Sequence, residues 1–382
     1  MIADAIVADP RILVPAVEID PIARVVVDLT VGHGDAVAVH VESGDNPMHA
    51  AGDAEIIQRH VVRASEFNPM LVQRRIAAIT DLGALGGISS GARALNNKGQ
   101  VAGYIQTMSG LTGFIWEKGI LTNLGNLGGG VSFVYGMNSA GQVVGYSTTS
   151  GGHSHAFLWG KGIMKDLGTL GGSHSIAYGI NTNGQVVGAA MDANSVYHAF
   201  LWEKGRMKDL GVGSGSAALA INDRGQAVGS LSPSLSTPHA FFLENCVVRD
   251  LGTLGGLTSF ATTINKSGQV AGYADSLVPA VHAFIWESGV MTDLGTLPGR
   301  TNVFAYGIND FGQIVGFALD PNDQTASRAF IWKNGVITDL NTKLASGSGW
   351  TLQAAFGINR NGAIAGNGIA PGGQVRAFLL EP

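Results

Sequence analysis

The chain has one cysteine, Cys246, so no disulfide can form within it. It is short of charge. Asp, Glu, Lys and Arg make up 13% of its 382 residues, about half the usual quarter. It has no excess of base. Lys plus Arg is 23 against 28 for Asp plus Glu, a net charge of −5. That argues against the basic face with which a nucleic-acid binder displaces phosphate counterions. No run of 18 apolar residues occurs, so no membrane-spanning helix is expected. The first twenty residues have no basic start, and Asp4, Asp9, Glu18 and Asp20 interrupt them. No signal peptide is visible there. Neither His-Glu-x-x-His nor a P-loop appears, and no cofactor or metal is expected.

Glycine is abundant, 56 residues, roughly twice the usual 7%. With 45% apolar residues, this composition points to short strands and tight turns around a packed core, not to disorder.

The sequence repeats itself. Gly-Gln-Val-Val-Gly starts at Gly141 and Gly184, with near copies at Gly99, Gly225, Gly268, Gly312 and Gly362. Successive glycines lie 42, 43, 41, 43, 44 and 50 residues apart. Asp-Leu-Gly starts at Asp81, Asp166, Asp209, Asp250 and Asp293, with variants at Asn123 and Asp339. His-Ala-Phe starts at His155, His198, His239 and His282, with degenerate copies around Phe114, Phe330 and Phe378. Each phrase occurs seven times.

One repeat reads as four strands. In the third, 173–181 alternates small and large residues, Asn181 to Gly184 is a tight turn, and 185–187, 198–202 and 206–210 supply three more strands. Four strands in about 43 residues describe a propeller blade. The repeats also end out of phase. They open with a lone fourth-type strand, 79–82, and close with a third-type strand at Leu380. The fold expected for 74–382 is therefore an all-β, seven-bladed β-propeller, its ring closed by an N-terminal outer strand joining three C-terminal strands. Closure removes the unpaired ends of a linear array.

Residues 1–73 differ. They hold no lysine, 4 of the 56 glycines, and 11 acids against 4 arginines. Stretches 24–31 and 35–41 have β-type content, and 55–63 fits a short helix. Two readings of this N-terminal extension stay open: a small appended element, or a poorly ordered segment with Met48 or Met70 as the start.

The phrases His-Ala-Phe-Leu-Trp (155–159, 198–202), Asp-Leu-Gly-Thr-Leu-Gly-Gly (166–172, 250–256) and Gly-Gln-Val-Val-Gly resemble those of the HAF repeat family. That family is described as probable extracellular repeat proteins of bacteria. The resemblance covers 74–382. It implies a bacterial repeat protein, extracellular or periplasmic, and no particular reaction.

The repeated histidines, one per blade, are too far apart to share a metal. Each stands beside a repeated aspartate, which points to a hydrogen bond within the blade. The recurrent Trp116, Trp159, Trp202, Trp286 and Trp332 read as blade-to-blade packing. Cys246, at the start of a fourth strand, reads as a small buried residue. Function should lie where the repeats differ. Aligned on the turn glycine, one inner-strand position holds Arg93, Tyr135, Tyr178, Leu219, Thr262, Tyr306 and Phe356. Arg93 is the odd member. The linkers contribute Arg300 and Trp350, and the sixth variable loop contributes Asp320 and Asp323. With His174, these residues are candidates to line one rim of the axial pocket. A cationic and aromatic rim suits a carboxylate or carbohydrate ligand; ordinary loop variation is the plainer reading. The pair of acids at 320 and 323 is weak as a calcium site.

Two functions compete. One is a rigid binding or scaffold module for a small ligand or a protein partner. The other is a lyase or hydrolase acting on a carbohydrate or small acid in the axial pocket, which requires ionisable groups converging there. Fold alone does not choose between them.

Overall fold

A computed structural model describes residues 26–31, 36–42, 61–63, 77–232, 237–278, 280–323 and 326–382. The chain divides into two compact units, Met1–Arg74 and Arg75–Pro382. The first contains a three-stranded antiparallel sheet in which Ala36–Glu42 lies between Val26–Val31 and Val61–Arg63. The helix expected over 55–63 is not formed at its end, since Val61–Arg63 pairs as a strand. The rest of that stretch lies outside the described residues.

The second unit is the seven-bladed propeller. Seven sheets of four antiparallel strands form it, six of them connected as a simple meander from the innermost strand outward. In the third blade these strands are Gly171–Ile180, Val186–Asp192, Tyr197–Glu203 and Arg206–Ser214. The last blade takes three strands from Thr351–Ile358, Ile364–Ile369 and Val375–Glu381. Its fourth is Ala78–Asp81, which pairs antiparallel with the C-terminal strand from Phe378↔Asp81 to Glu381↔Ala78. The ring therefore closes as the phase of the repeats requires. Among the described residues of this unit the helical element is a single 3-10 turn, Leu340–Lys343.

Two residue types fix each blade. The phenylalanine of His-Ala-Phe is fully buried in all seven: Phe114, Phe157, Phe200, Phe241, Phe284, Phe330 and Phe378. Each sits across the ladder from the last glycine of the Gly-Gln-Val-Val-Gly phrase, as in Gly145↔Phe157 and Gly188↔Phe200. The ring covers a glycine that cannot carry a side chain, because a Cβ on Gly188 would overlap the carbonyl oxygen of Ile176 on the inner strand. The same overlap with an inner-strand carbonyl recurs at Gly103, Gly145, Gly229, Gly272, Gly316 and Gly366. Tryptophans seal the blade interfaces; Trp286 packs 5.4 Å from Phe242 of the preceding blade.

The histidines bond within their blades. His155 Nδ1 lies 2.8 Å from Asp166, His198 Nδ1 3.0 Å from Asp209, His239 Nδ1 2.8 Å from Asp250, and His282 Nδ1 2.6 Å from Asp293. Cys246 departs from expectation. It is exposed, at φ 64°, beside Asn245 at φ 50°. Together they form the hairpin turn that other blades build as Lys161-Gly162 or Lys204-Gly205, so the residue lies in the turn and not in the strand.

A ring of seven asparagines ties the blades together. Asn96, Asn138, Asn181, Asn222, Asn265, Asn309 and Asn359 are all buried. Each Oδ1 accepts from two N–H groups of its own turn, and each Nδ2 donates to the main-chain carbonyl of the next asparagine. Asn138 donates to Asn181 at 3.0 Å, and Asn359 closes the circle onto Asn96 at 3.3 Å. Each buried asparagine amide is thereby satisfied, with one bond crossing a blade boundary.

Candidate functional site

The axial channel is built by a backbone irregularity. In every blade the inner strand slips register against its neighbour at the same point. The residue skipped is Arg93, Tyr135, Tyr178, Leu219, Thr262, Tyr306 or Phe356, the position that varies among the repeats. A β-bulge leaves one residue unpaired and re-aims its side chain. All seven line a channel cavity of about 260 Å³.

The other side chains of the inner strand are fixed by packing. Behind the bulges of four blades, adjacent inner strands approach so closely that glycine follows the bulged residue: a Cβ on Gly179 would sit 2.9 Å from Ala220 Cα, and one on Gly136 would sit 2.7 Å from the Tyr178 carbonyl. Toward the turn face, Leu95, Met137, Ile180, Ile221, Ile264, Ile308 and Ile358 form an apolar collar lining both this cavity and a second one. The second cavity, about 200 Å³, opens among polar turn residues. There Arg360 Nε donates to Asp310 at 2.7 Å, and Lys266 Nζ stands 3.6 Å from Asp223. Its charges pair off among themselves.

The chamber above the collar differs. Among the described residues Arg93 is its one cation. Its guanidinium lies 4.2 Å from the ring centroid of Phe356, 5.3 Å from Phe133 and 5.7 Å from Tyr104. Its Nε is buried without a hydrogen-bond partner. Among the described residues no carboxylate pairs with it. Tyr135 packs edge-on to Tyr178 at 4.8 Å, and Tyr306 edge-on to Phe356 at 5.3 Å. Burial pushes the phenols of Tyr135, Tyr178 and Tyr306 above their usual range; neighbouring tyrosines add to this at Tyr135 and Tyr178, while Arg93 pulls Tyr135 and Tyr306 back in part. They stay protonated at neutral pH, and Tyr306 is hydrogen-bonded to the Tyr273 hydroxyl. Thr262 is occupied, its hydroxyl lying 2.8 Å from the Ala305 carbonyl and 3.1 Å from that of Ala271.

Of the six residues singled out by sequence, Arg93 alone lines this chamber. His174 accepts the Ser154 N–H at 3.2 Å and packs edge-on to His153 at 5.5 Å, linking the second and third blades. Arg300 Nε donates to the Ala326 carbonyl at 3.3 Å, which brings that linker to the sixth variable loop. In that loop Asp320 accepts the Asn322 N–H at 2.9 Å, and Asp323 is exposed. Trp350 packs against Phe378 at 6.3 Å in the core of the closing blade. Residues that sequence reasoning passed over are the apolar collar and the asparagine ring. The signal for the ring was present as an asparagine three residues before every turn glycine.

No family model matches the chain, and no curated protein matches it. Solved structures do, at low identity. A puromycin-hydrolyzing peptidase of Mycobacterium tuberculosis is 11% identical with a TM-score of 0.52, over 81% of this chain and 52% of that one. TolB from Acinetobacter baumannii is 12% identical with a TM-score of 0.43, over 94% and 79%. The SapL1 lectin, solved with alpha methyl fucoside, is 13% identical with a TM-score of 0.38, over 66% and 96%. The propeller fold itself is shown by the seven four-stranded sheets. The fold is consistent with a binding or scaffold module.

Proposed function

We propose that the protein is a binding module whose ligand, a small carboxylate, sits in the axial chamber against Arg93. The observation that carries this reading is an arginine framed by aromatic faces, with a buried Nε lacking a partner and no acid beside it. A guanidinium stacked on a ring keeps its in-plane N–H groups available for a carboxylate. Leaving those groups unpaired in a partly buried site is costly, so an anion that fills the gap is favoured. The lyase or hydrolase alternative needs a group that exchanges protons near neutral pH. The chamber wall presents phenols that burial keeps protonated, which supports binding over acid–base chemistry. We also read the chain as a bacterial HAF-type repeat protein acting outside the cytoplasm, on its repeated phrases.

A thermal-shift screen of small carboxylates against the full chain and Arg93→Gln tests this. At least one should raise the melting temperature of the native protein and lose that effect in the variant. Stabilisation that survives Arg93→Gln, or no stabilisation by any carboxylate, refutes the reading.

A further inference from the structure

We infer that the carboxylate belongs to a single hydroxylated ring, a monoanionic sugar acid of the hexuronate class. This deepens the channel reading and rests on it. Charge sets the first limit. Among the described residues the chamber holds one cation, and the next cations along the channel, Lys266 and Arg360, are already paired with Asp223 and Asp310. One unneutralised positive charge matches a monoanion. A phosphate dianion would bring a second charge into a partly buried site with no partner for it.

The wall sets the second limit. Three phenols, Tyr135, Tyr178 and Tyr306, surround the cavity together with the inner edges of seven strands. An innermost strand has a ladder partner on one side only, and each bulge leaves a further residue outside the ladder. The chamber is therefore rimmed with hydrogen-bonding groups of both kinds as well as with aromatic faces. An apolar acid would fill it and leave those groups unpaired, which selects against it. Ring hydroxyls satisfy them, while the ring's C–H face lies on an aromatic. Size sets the third limit. About 260 Å³ falls just under the span of roughly 300–1,000 Å³ typical of larger ligand pockets, so one ring fits inside.

Isothermal titration of the full chain at constant ionic strength tests this with sodium D-glucuronate, sodium D-galacturonate, D-glucose, glucose 6-phosphate and sodium benzoate. A uronate should bind 1:1, at least tenfold tighter than D-glucose, benzoate or glucose 6-phosphate. Arg93→Gln should remove the preference over D-glucose. Tyr178→Phe, which keeps the packing, should weaken the uronate several-fold and leave benzoate unchanged. Benzoate that binds through Arg93 at least as tightly as either uronate overturns the sugar-acid assignment and leaves the carboxylate reading intact. Glucose 6-phosphate binding tightest overturns the charge argument. No binding by any of the three acids overturns both readings. Should Arg93→Gln not fold, Tyr178→Phe with the same panel decides the sugar-acid assignment alone.

Discussion

Substituting Gly188 by alanine adds one methyl group to a strand in which alanine is otherwise at home. It should nevertheless be among the more damaging single changes in the molecule. The new Cβ would overlap the Ile176 carbonyl oxygen, and it would lie 2.7 Å from Phe200 Cε1 and 2.9 Å from the Ile176 carbonyl carbon. Carbon atoms pack at roughly 3.5–4.0 Å, so even the second-nearest contact is short by about 0.8 Å. Phe200 is fully buried and has nowhere to go. The Ile176 carbonyl belongs to the inner strand immediately before the bulge at Tyr178. Relief must therefore come from the backbone that shapes the channel. Overpacking a filled core costs about 1–3 kcal/mol, and we expect the upper end, about 3 kcal/mol.

The control is Gly162→Ala in the hairpin turn of the second blade. That glycine has φ 81° and open space around it, so the change costs only the left-handed backbone, about 1 kcal/mol. At about 2–4 °C per kcal/mol for a domain approaching this size, Gly188→Ala should lower the melting temperature by roughly 6–12 °C and Gly162→Ala by roughly 2–4 °C. Calorimetry of both variants measures this. If Gly188→Ala melts no lower than Gly162→Ala, the repeated glycine is not required by the bulge, and the account of how the channel is built fails.

Deleting residues 373–382 removes the strand that holds Ala78–Asp81 and takes Phe378 from its core; the shortened chain should lose its cooperative melt by circular dichroism, and retention of that melt would show that closure is dispensable. His198→Ala should cost about 1 kcal/mol, since the His198 side chain is 19% exposed and that of its partner Asp209 is 44% exposed. It should leave binding in the channel unchanged, so loss of binding at an unchanged melting temperature would make the histidines the site. Cys246→Gly, at φ 64°, should stabilise the fold by about 0.5–1 kcal/mol by relieving a left-handed residue; a lower melting temperature contradicts that view of the turn.

The blade count was legible because glycine and phenylalanine recur for steric reasons that leave no alternative residue. Ring closure was legible because the ends are out of phase by one strand. The bulge was not legible. Alternation along 173–181 looks unbroken in sequence, and a one-residue slip adds no unusual residue to announce it. Arg93 thus stood out as a variant at the axial pocket, while the bulge that turns it into the channel did not. Trp350 is a rim candidate because linkers emerge there and His174 because the inner strand begins there; spacing does not show which way either side chain turns, and Trp350 packs on Phe378 while His174 accepts the Ser154 N–H. The asparagines looked like local turn formers, since Asn-x-x-Gly explains itself within one repeat. Their bond to the next blade appears only when two turns lie side by side. Cys246 misled because a non-glycine residue stands where other blades place glycine.

The distribution of constraint also explains how a ring of near-identical blades can carry an asymmetric site. The repeated phrases are held by overlap-limited contacts, as at Gly188 against Ile176, or by hydrogen bonds crossing blades, as at Asn181. The bulged residue is under neither steric limit nor asparagine bond, although Thr262 does reach the Ala305 carbonyl, and it runs through Arg, Tyr, Tyr, Leu, Thr, Tyr and Phe around the ring. A change there alters the chamber and leaves the scaffold standing. Arg93→Tyr makes the first blade like the second, third and sixth. Its ring would stand beside Phe356 and Phe133, where the guanidinium now stacks. Exchanging a cation–π contact worth about 0.5–2 kcal/mol for an aromatic pair worth about 0.5–1.5 kcal/mol is close to neutral, so the melting temperature should stay within about 3 °C of the native value. Carboxylate binding should disappear. Calorimetry and titration on one preparation separate the two effects. A variant that unfolds shows that Arg93 belongs to the scaffold, and one that still binds carboxylates shows that the charge in the channel is not what holds them.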